Sequence, residues 1–270
     1  MNGVLTRILT DKRAEVARAR AQVGLADLEA RIRAAAPARG FAAALSASVA
    51  RGKPAVVAEM KRASPSRGVL RQGLDPEAVA RAYERAGASA LSVLTDAHYF
   101  GAQPDDLVRA RAACRLPVLR KDFMVDAYQI AQSRAMDADC VLLIVAALPP
   151  GELEELYDAS QAYGLDALIE VHDAAELERA LALPGGLLGI NNRDLQSFVT
   201  TIDRTLELVG FVPPGRLVVT ESGILGQDEV QRLKAAGLRG FLVGEAFMVA
   251  ADPGARLAEL FEGWVDESSS

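Results

Sequence analysis

The sequence predicts an α/β protein, a (β/α)8 barrel of the TIM type with an N-terminal helical extension. Eight short apolar runs alternate with helical patterns, and successive runs begin roughly 20–35 residues apart, a typical length for one strand–helix unit. Most runs are apolar on both faces, as strands in a helix-covered parallel sheet are. No Ser/Gly-rich linker divides the 270 residues. We therefore expect a single barrel domain over residues 1–270.

Three helical patterns precede the first apolar run, at residues 5–22, 25–36 and 41–48. They make residues 1–52 an N-terminal helical extension. The first pattern is amphipathic and acidic in places, and it lacks the apolar core of a signal peptide. At the other end of the chain, the polar tail at 265–270 is expected to be disordered.

The eight predicted strands are rich in β-branched or apolar residues and are bounded by Gly, Pro or Asp. In chain order they are AVVAEM (55–60), ALSVLT (90–95), PVLRKD (117–122), CVLLIV (140–145), DALIEV (166–171), LLGINN (187–192), RLVVTE (216–221) and GFLVGE (240–245).

Helices are predicted between these strands, at 75–88, 149–164, 173–183 and 226–237. The first of these helices has favourable residues at its start, with Asp75 as N-cap and Pro76 in the first turn. A doubly wound parallel sheet is the alternative fold. It usually has fewer strands, and no G-x-G-x-x-G follows the first run.

Composition excludes several classes of protein. The formal charge of −6 argues against a nucleic-acid binder, which would carry a basic face. No apolar run approaches the length of a membrane span. Cys114 and Cys140 form no metal-binding motif, and His98 and His172 are isolated, so we expect no metal. A cytoplasmic monomer is the expectation for such a chain.

Candidate functional residues gather at the ends of six predicted strands. In a barrel of this kind the carboxyl ends of the strands form the reactive face. The residues there are Glu59, Lys61 and Ser64, then Lys121, Glu170, Asn191 and Arg193, and finally Glu221, Ser222, Gly223, Gly244 and Glu245.

Each charged candidate has a structural reading beside the catalytic one. Glu59 and Lys61 project to the same face of their strand, where they could form an ion pair that closes the barrel. Lys121 could be a surface lysine. Glu170 ends an apolar run and suits general acid–base work, because partial burial moves a Glu pKa toward neutrality. Arg193 suits a bidentate carboxylate, or a salt bridge within its own loop.

The last two strand ends differ in kind, because TESGI and VGEAF carry glycine where the chain turns into a helix. Glycine lets backbone approach a ligand, and free N–H groups at a helix start favour anions. Loops after the seventh and eighth strands often hold phosphate in this fold. Plain turn glycines are the alternative, but together the two loops favour a small phosphorylated substrate.

Seven segments carry a resemblance to a known family. AEMKRASPSRGVL, SVLTDAHYFGAQPDDL, LRKDFMVDAYQI, ALIEVHD, GINNRDL, TESGI and FLVGEAFM are similar, in order, to the signatures of the indole-3-glycerol phosphate synthases. The matching segments span roughly residues 55–250. The first helical pattern also resembles the opening helix of that family.

The resemblance implies an enzyme of tryptophan biosynthesis, a carboxy-lyase without cofactor or metal. Its substrate would be 1-(2-carboxyphenylamino)-1-deoxyribulose 5-phosphate, and ring closure with loss of CO2 and water would give indole-3-glycerol phosphate. The resemblance makes Lys121 the general acid at the carbonyl oxygen and Glu170 the acid–base group in dehydration. Lys61 would contact the anionic substrate and could donate a proton in dehydration.

Further roles follow from the same resemblance. Glu59 and Asn191 would orient and stabilise the intermediate, Arg193 would hold the anthranilate carboxylate, and Glu221 and Ser222 would line the pocket. Ser64, Gly223, Gly244 and Glu245 would form the phosphate end. Many relatives have Ser or Thr where this chain has Glu245. We expect that side chain to turn outward while its backbone N–H serves the phosphate.

Two other functions compete with this one. A phosphoribosylanthranilate isomerase would share the phosphate loops, but it typically uses a Cys/Asp pair, and neither cysteine here follows the first strand. A non-catalytic barrel that binds a phosphorylated ligand or a partner protein is the other alternative. Such a barrel would be expected to have lost some of its charged strand ends.

Overall fold

The computed structural model describes residues 3–194 and 197–265. Its centre is a closed barrel of eight parallel strands, each hydrogen-bonded to the next, with the first strand also paired to the last. The barrel strands are β1 (Ala55–Met60), β2 (Ala90–Leu94), β3 (Val118–Lys121), β4 (Cys140–Ile144), β5 (Asp166–Val171), β6 (Leu187–Asn191), β7 (Val218–Glu221) and β8 (Gly240–Val243). The predicted (β/α)8 barrel is confirmed, and the doubly wound alternative is wrong.

The helices alternate with these strands after three that precede β1. They are α1 (Gly3–Gln22), α2 (Leu25–Ala34), α3 (Phe41–Ala50), α4 (Pro76–Arg85), α5 (Ala97–Phe100), α6 (Asp106–Ala113), α7 (Ala127–Ala135), α8 (Pro150–Ala162), α9 (Ala174–Leu181), α10 (Asp203–Leu208), α11 (Gln227–Ala235), α12 (Glu245–Met248) and α13 (Pro253–Leu260). Single turns of 3-10 helix lie at Val145–Ala147 and Val209–Phe211.

Local chemistry explains the helix starts. The Asp75 side chain accepts a hydrogen bond from the Glu77 backbone N–H, and Pro76 occupies the first helical position of α4. Asp126, Asp173 and Asp252 cap α7, α9 and α13 in the same way. Such caps satisfy backbone donors that lack an intrahelical acceptor.

The strands are buried on both faces. All six residues of β1 are buried, and so is every residue of β4 and of β8. Helices therefore cover the outside of the barrel while side chains fill its inside, as an all-parallel sheet requires. Between β1 and α4 the chain forms a small antiparallel hairpin of Ala63–Ser64 with Gly68–Val69.

The N-terminal helices close both ends of the barrel. At the amino end of the strands, Phe41 and Leu45 of α3 are fully buried, and the Ala42 backbone N–H donates to Asp166 at 2.8 Å. Helix α1 runs to the opposite end, where Leu5 and Ile8 reach the strand termini. The extension is therefore part of the walls of the molecule rather than an appendage.

We propose that residues 1–52 and the barrel constitute one domain over the whole chain. Of the tail predicted to be disordered at 265–270, residues 266–270 lie outside the described residues. Within the described ranges, no helix is both long and apolar enough to cross a membrane.

Candidate active site

A cavity opens where the strands end, and it collects almost every residue that the sequence singled out. Its wall contains Glu59, Lys61, Lys121, Glu170, Asn191, Arg193, Glu221, Ser222, Gly223, Gly244 and Glu245. Ser64 lies outside that wall. It is buried in the hairpin after β1, with its hydroxyl 3.5 Å from that of Ser66.

Strand β1 ends in a charged pair. The Lys61 ammonium donates to Oε1 of Glu59, and the Glu59 side chain is 5 % exposed. Burial alone would raise the pKa of Glu59, but Lys61 and Lys121 outweigh burial and hold that pKa below its usual value. Glu59 and Lys61 thus form the ion pair that was the structural interpretation of these two residues, and this ion pair also faces the cavity.

Lys121 lies between two carboxylates at the end of β3. Its Nζ atom is 2.9 Å from Oε2 of Glu170 on β5 and also donates to Oε2 of Glu221 on β7. The Lys121 side chain is 12 % exposed, and both carboxylates are buried. Three strands of the barrel therefore direct one ammonium and two carboxyl groups into the same part of the wall.

Burial and neighbouring charges shift the pKa values of Lys121, Glu170 and Glu221 in different directions. Burial would lower the pKa of Lys121, but the carboxylates of Glu170, Glu221 and Glu59 outweigh burial and raise it. Burial would raise the pKa of Glu170, but Lys121 and His172 outweigh it and hold that pKa well below its usual range. The expectation that burial moves the pKa of Glu170 toward neutrality is therefore wrong. Burial raises the pKa of Glu221 to about 8. At neutral pH the cluster therefore holds an ammonium, a carboxylate and a neutral carboxyl.

Two glycines make room for the carboxylates. A Cβ on Gly189 of β6 would overlap Oε1 of Glu221, and a Cβ on Gly244 after β8 would overlap Oε1 of Glu59. Only residues without a side chain fit at these two positions while the carboxylates keep their places.

Arg193 and Glu245 form a second charged pair in the cavity wall. An Nη of Arg193 lies 3.3 Å from Oε2 of Glu245, and Nε of Arg67 lies 3.1 Å from Oε1. The Glu245 side chain is 18 % exposed. The prediction that it turns outward is wrong, because these two guanidinium groups hold the carboxylate at the cavity. Asn191 supports Arg193 by accepting from its backbone N–H at 3.0 Å.

The turn after β7 brings backbone to the wall. Ser222 and Gly223 have φ angles of +65° and +74°, and the side-chain amide of Asn192 donates to the Ser222 carbonyl at 3.1 Å. With Gly244 after β8, this turn forms the part of the wall that the sequence assigned to phosphate.

Sequence reasoning missed two contributions to this end of the barrel. Leu5 and Ile8 of α1 join Phe100, Phe123 and Ile144 in the apolar part of the wall. The amphipathic pattern of α1 indicated a buried face, but not what that face would cover. The second is His172, which the sequence left out of the chemistry and which lies against Glu170.

Lys12 anchors α1 beside the cavity. Its Nζ atom lies 2.8 Å from Asp96 after β2 and 2.9 Å from Asp122 after β3. Burial would lower the pKa of Lys12, but Asp122 and Asp96 outweigh it and raise that pKa. One member of this ion cluster, Asp122, directly follows Lys121 in the sequence.

In the described ranges, no three His, Cys, Asp or Glu side chains are grouped to hold a metal ion. The absence of a metal and of a cofactor stays a prediction. The two cysteines are free and buried, and Cys140 lies at the first position of β4, at the end of the barrel away from the cavity.

Comparisons with known proteins agree on one family. A family model described as indole-3-glycerol phosphate synthase matches residues 5–260. A protein named indole-3-glycerol phosphate synthase from Leptothrix cholodnii is 54% identical over 261 residues, covering 97% of this chain and 100% of the relative. One of the same name from Bordetella pertussis is 52% identical, covering 96% and 99%.

Solved structures share the fold at lower identity. The tryptophan synthase alpha subunit of Legionella pneumophila has a TM-score of 0.60 at 16% identity, covering 83% of this chain and 97% of its own. Thiamine phosphate pyrophosphorylase from Pyrococcus furiosus has a TM-score of 0.58 at 20% identity, covering 78% and 95%. Likeness at this level speaks for the barrel alone.

Proposed function

The chain belongs to the indole-3-glycerol phosphate synthase family, and from that premise we propose which of its residues carry the reaction. The enzyme is a carboxy-lyase of tryptophan biosynthesis. It closes the ring of 1-(2-carboxyphenylamino)-1-deoxyribulose 5-phosphate, with loss of CO2 and water, to indole-3-glycerol phosphate. The observation that carries the proposal is the ammonium of Lys121 held between Glu170 and Glu221 in the cavity wall.

Substrate binding follows from charge and apolar surface. The substrate is anionic at both ends, and the cavity offers Lys61 and Arg193 as cations. We assign Arg193 to the anthranilate carboxylate, because a guanidinium binds a carboxylate bidentately. The aromatic ring would lie on the apolar part of the wall formed by α1 and the ends of β3 and β4. The phosphate would lie at Gly223 and Gly244.

Lys121 is the proposed acid for ring closure. The ring carbon that carries the carboxylate attacks the ribulose carbonyl, and negative charge develops on the carbonyl oxygen. An ammonium in a water-poor wall stabilises that oxygen and can protonate it. The raised pKa of Lys121 keeps it charged at neutral pH. Its carboxylate neighbours fix its position before substrate arrives.

Decarboxylation and dehydration complete the reaction. After ring closure the ring system bears positive charge, which the Glu59 carboxylate can stabilise electrostatically. Loss of CO2 restores electrons to the ring, and dehydration then removes a proton from carbon and the hydroxyl as water. We assign removal of the carbon-bound proton to the Glu170 carboxylate and protonation of the departing hydroxyl to the Lys61 ammonium, with Asn191, Glu221 and Ser222 orienting the intermediate. Lys61 also takes part in substrate binding.

A single-turnover experiment tests this order of steps. If Glu170 acts only after ring closure, Glu170→Gln should still release one equivalent of CO2 per enzyme while indole formation slows by about 100-fold or more. Glu154→Gln, an exposed carboxylate on α8, is the matched control and should behave as wild type. Equal loss of CO2 and indole in Glu170→Gln would contradict the assignment.

We further propose that the enzyme works as a cytoplasmic monomer. Its cavity is built from one chain, and its two cysteines are free, which fits a reducing compartment. Light scattering on the purified chain should give a mass near 28.6 kDa. A mass of twice that value would contradict the monomer.

A further inference from the structure

His172 is a buried histidine that the reaction scheme above does not use. It follows β5 directly and is 8% exposed, and it stands behind Glu170 rather than among the residues that form the cavity wall. It therefore has no direct access to a substrate in the cavity.

Glu176 of α9 holds the histidine in place. Its Oε2 atom accepts a hydrogen bond from the His172 backbone N–H at 2.8 Å and lies 3.0 Å from Nδ1 of the ring. Helix α9 begins at the Asp173 cap, so one turn of helix places Glu176 beside the end of β5. The ring is thus fixed at one nitrogen and at its backbone.

The other ring nitrogen points at Glu170. Nε2 of His172 lies 3.4 Å from Oε1 of Glu170 and makes no hydrogen bond within the described ranges. Meanwhile Oε2 of Glu170 accepts from Lys121 at 2.9 Å. The two oxygens of the carboxylate therefore face two different cationic groups.

The surroundings of His172 favour its protonated form. The residues paired with the end of β5 on the adjacent strands, Ile144 and Ile190, are apolar. The charged groups that face the ring are Glu170 and Glu176, with Lys121 beyond Glu170. Burial would lower the pKa of His172, but these two carboxylates raise it to about 9. Both ring nitrogens are then donors at neutral pH.

We propose that His172 is a positioning residue that fixes the Glu170 carboxylate through Nε2. The other carboxylate oxygen, Oε2, lies on the Lys121 side and is then the oxygen that exchanges a proton in dehydration. When Lys121 turns to the substrate, Oε2 loses its partner. A carboxylate held by one oxygen keeps its orientation at that moment, whereas a free one would rotate. Contacts of this kind are often long before substrate binds and shorten afterwards.

The inference rests on the proposed role of Glu170, and two isosteric variants test it. In His172→Gln the side-chain amide can stand near the place of Nε2, whereas in His172→Asn it stands near the place of Nδ1. We expect His172→Asn to lower kcat by about 10- to 100-fold with KM within about two-fold, since the residue does not touch substrate. His172→Gln should retain most of kcat.

Glu178→Gln is the matched control, since Glu178 is exposed on the same helix, and it should match wild type. Equal kcat in His172→Asn and wild type would overturn the proposal. Equal losses in the Asn and Gln variants would also overturn it, because the effect would then not depend on a donor at the Nε2 position.

NMR titration gives a readout that is independent of activity and of both His172 variants. The chain has only two histidines, so 15N-histidine labelling gives two ring systems, and His98→Gln assigns them. We expect the pKa of His172 to lie near 9 and to fall in Glu170→Gln and in Glu176→Gln. A His172 pKa that is ordinary and unchanged by Glu170→Gln would refute the contact. Absence of indole formation by wild type would instead refute the function and leave the titration standing.

Discussion

At the scale of single residues, the unusual feature is that two carboxylates of unlike pKa share one ammonium. Glu170 has His172 as a second cationic neighbour. Among residues 3–194 and 197–265, Glu221 pairs with Lys121 alone, and its Oε1 is buried without a hydrogen-bond donor. One proton therefore settles on Glu221 rather than on Glu170. The difference gives the site an acid and a base at the same pH.

Glu221→Gln tests that division through stability. The pKa of Glu221 is raised to about 8 in the folded protein, from 4.5, so the folded state holds the proton more tightly than the unfolded state. Its contribution to stability is complete below about pH 4.5 and is lost as pH rises through about 8. As pH rises from 5 to 8, the free energy of unfolding of Glu221→Gln should increase by about 1–3 kcal/mol relative to that of wild type.

Urea unfolding at the two pH values measures this difference. Glu154→Gln is again the control and should show the same pH dependence as wild type. A difference between Glu221→Gln and wild type that stays constant with pH would mean that Glu221 is already ionised in the folded protein.

Glu245 is the second residue-scale feature, because it pairs with the guanidinium that we assign to the substrate carboxylate. In Glu245→Gln that competitor loses its charge while the side chain keeps its length. We therefore expect KM to fall by about 2- to 5-fold, as loss of a partly exposed ion pair worth up to about 1 kcal/mol would allow. Steady-state kinetics at fixed ionic strength measures KM, and kcat should change little. A rise in KM would show that Glu245 helps rather than hinders substrate binding.

At the scale of elements, helix α1 closes the carboxyl end of the barrel and is anchored there by one buried lysine. Leu5 and Ile8 on the same helix contribute apolar wall to the cavity. Lys12 is 1% exposed and joins the loops after β2 and β3. Anchoring and wall formation are therefore coupled through a single helix.

Lys12→Met should separate this helix from the barrel. The substitution leaves the carboxylates of Asp96 and Asp122 buried without their ammonium, which costs about 3–5 kcal/mol in stability. KM should rise together with the loss, because the wall from α1 becomes mobile. Arg18→Met, an exposed position on the same helix, is the control. Urea unfolding and KM values near wild type in Lys12→Met would refute the anchoring role.

At the scale of the whole molecule, the barrel and most of its site could be predicted from the sequence, since both depend on local patterns. Apolar runs such as AVVAEM define strands, and topology then brings all strand ends to one face. Lys121, Glu170 and Glu221 are far apart in sequence, yet each is the last or next-to-last residue of its strand. Their meeting follows from the fold without any knowledge of side-chain contacts.

The parts that could not be predicted depend on partners distant in sequence or on the direction of a side chain. Glu245 points to Arg67, 178 residues earlier, in the hairpin after β1. Lys12 meets two aspartates that follow different strands. The role of His172 depends on its contacts with both Glu170 and Glu176, and therefore on the direction in which its ring points behind the cavity wall. None of these arrangements leaves a periodic pattern in the chain.

The most direct test of the account is the formation of indole-3-glycerol phosphate, followed by fluorescence, in wild type and in Lys121→Met with a chelator present. Lys53→Met, an exposed lysine just before β1 at the other end of the barrel, is the control. We expect turnover in wild type and in the control, and a loss of kcat by at least about 100-fold in Lys121→Met with an unchanged circular dichroism spectrum. Lys121→Met that turns over at the wild-type rate would contradict the central role of this ammonium.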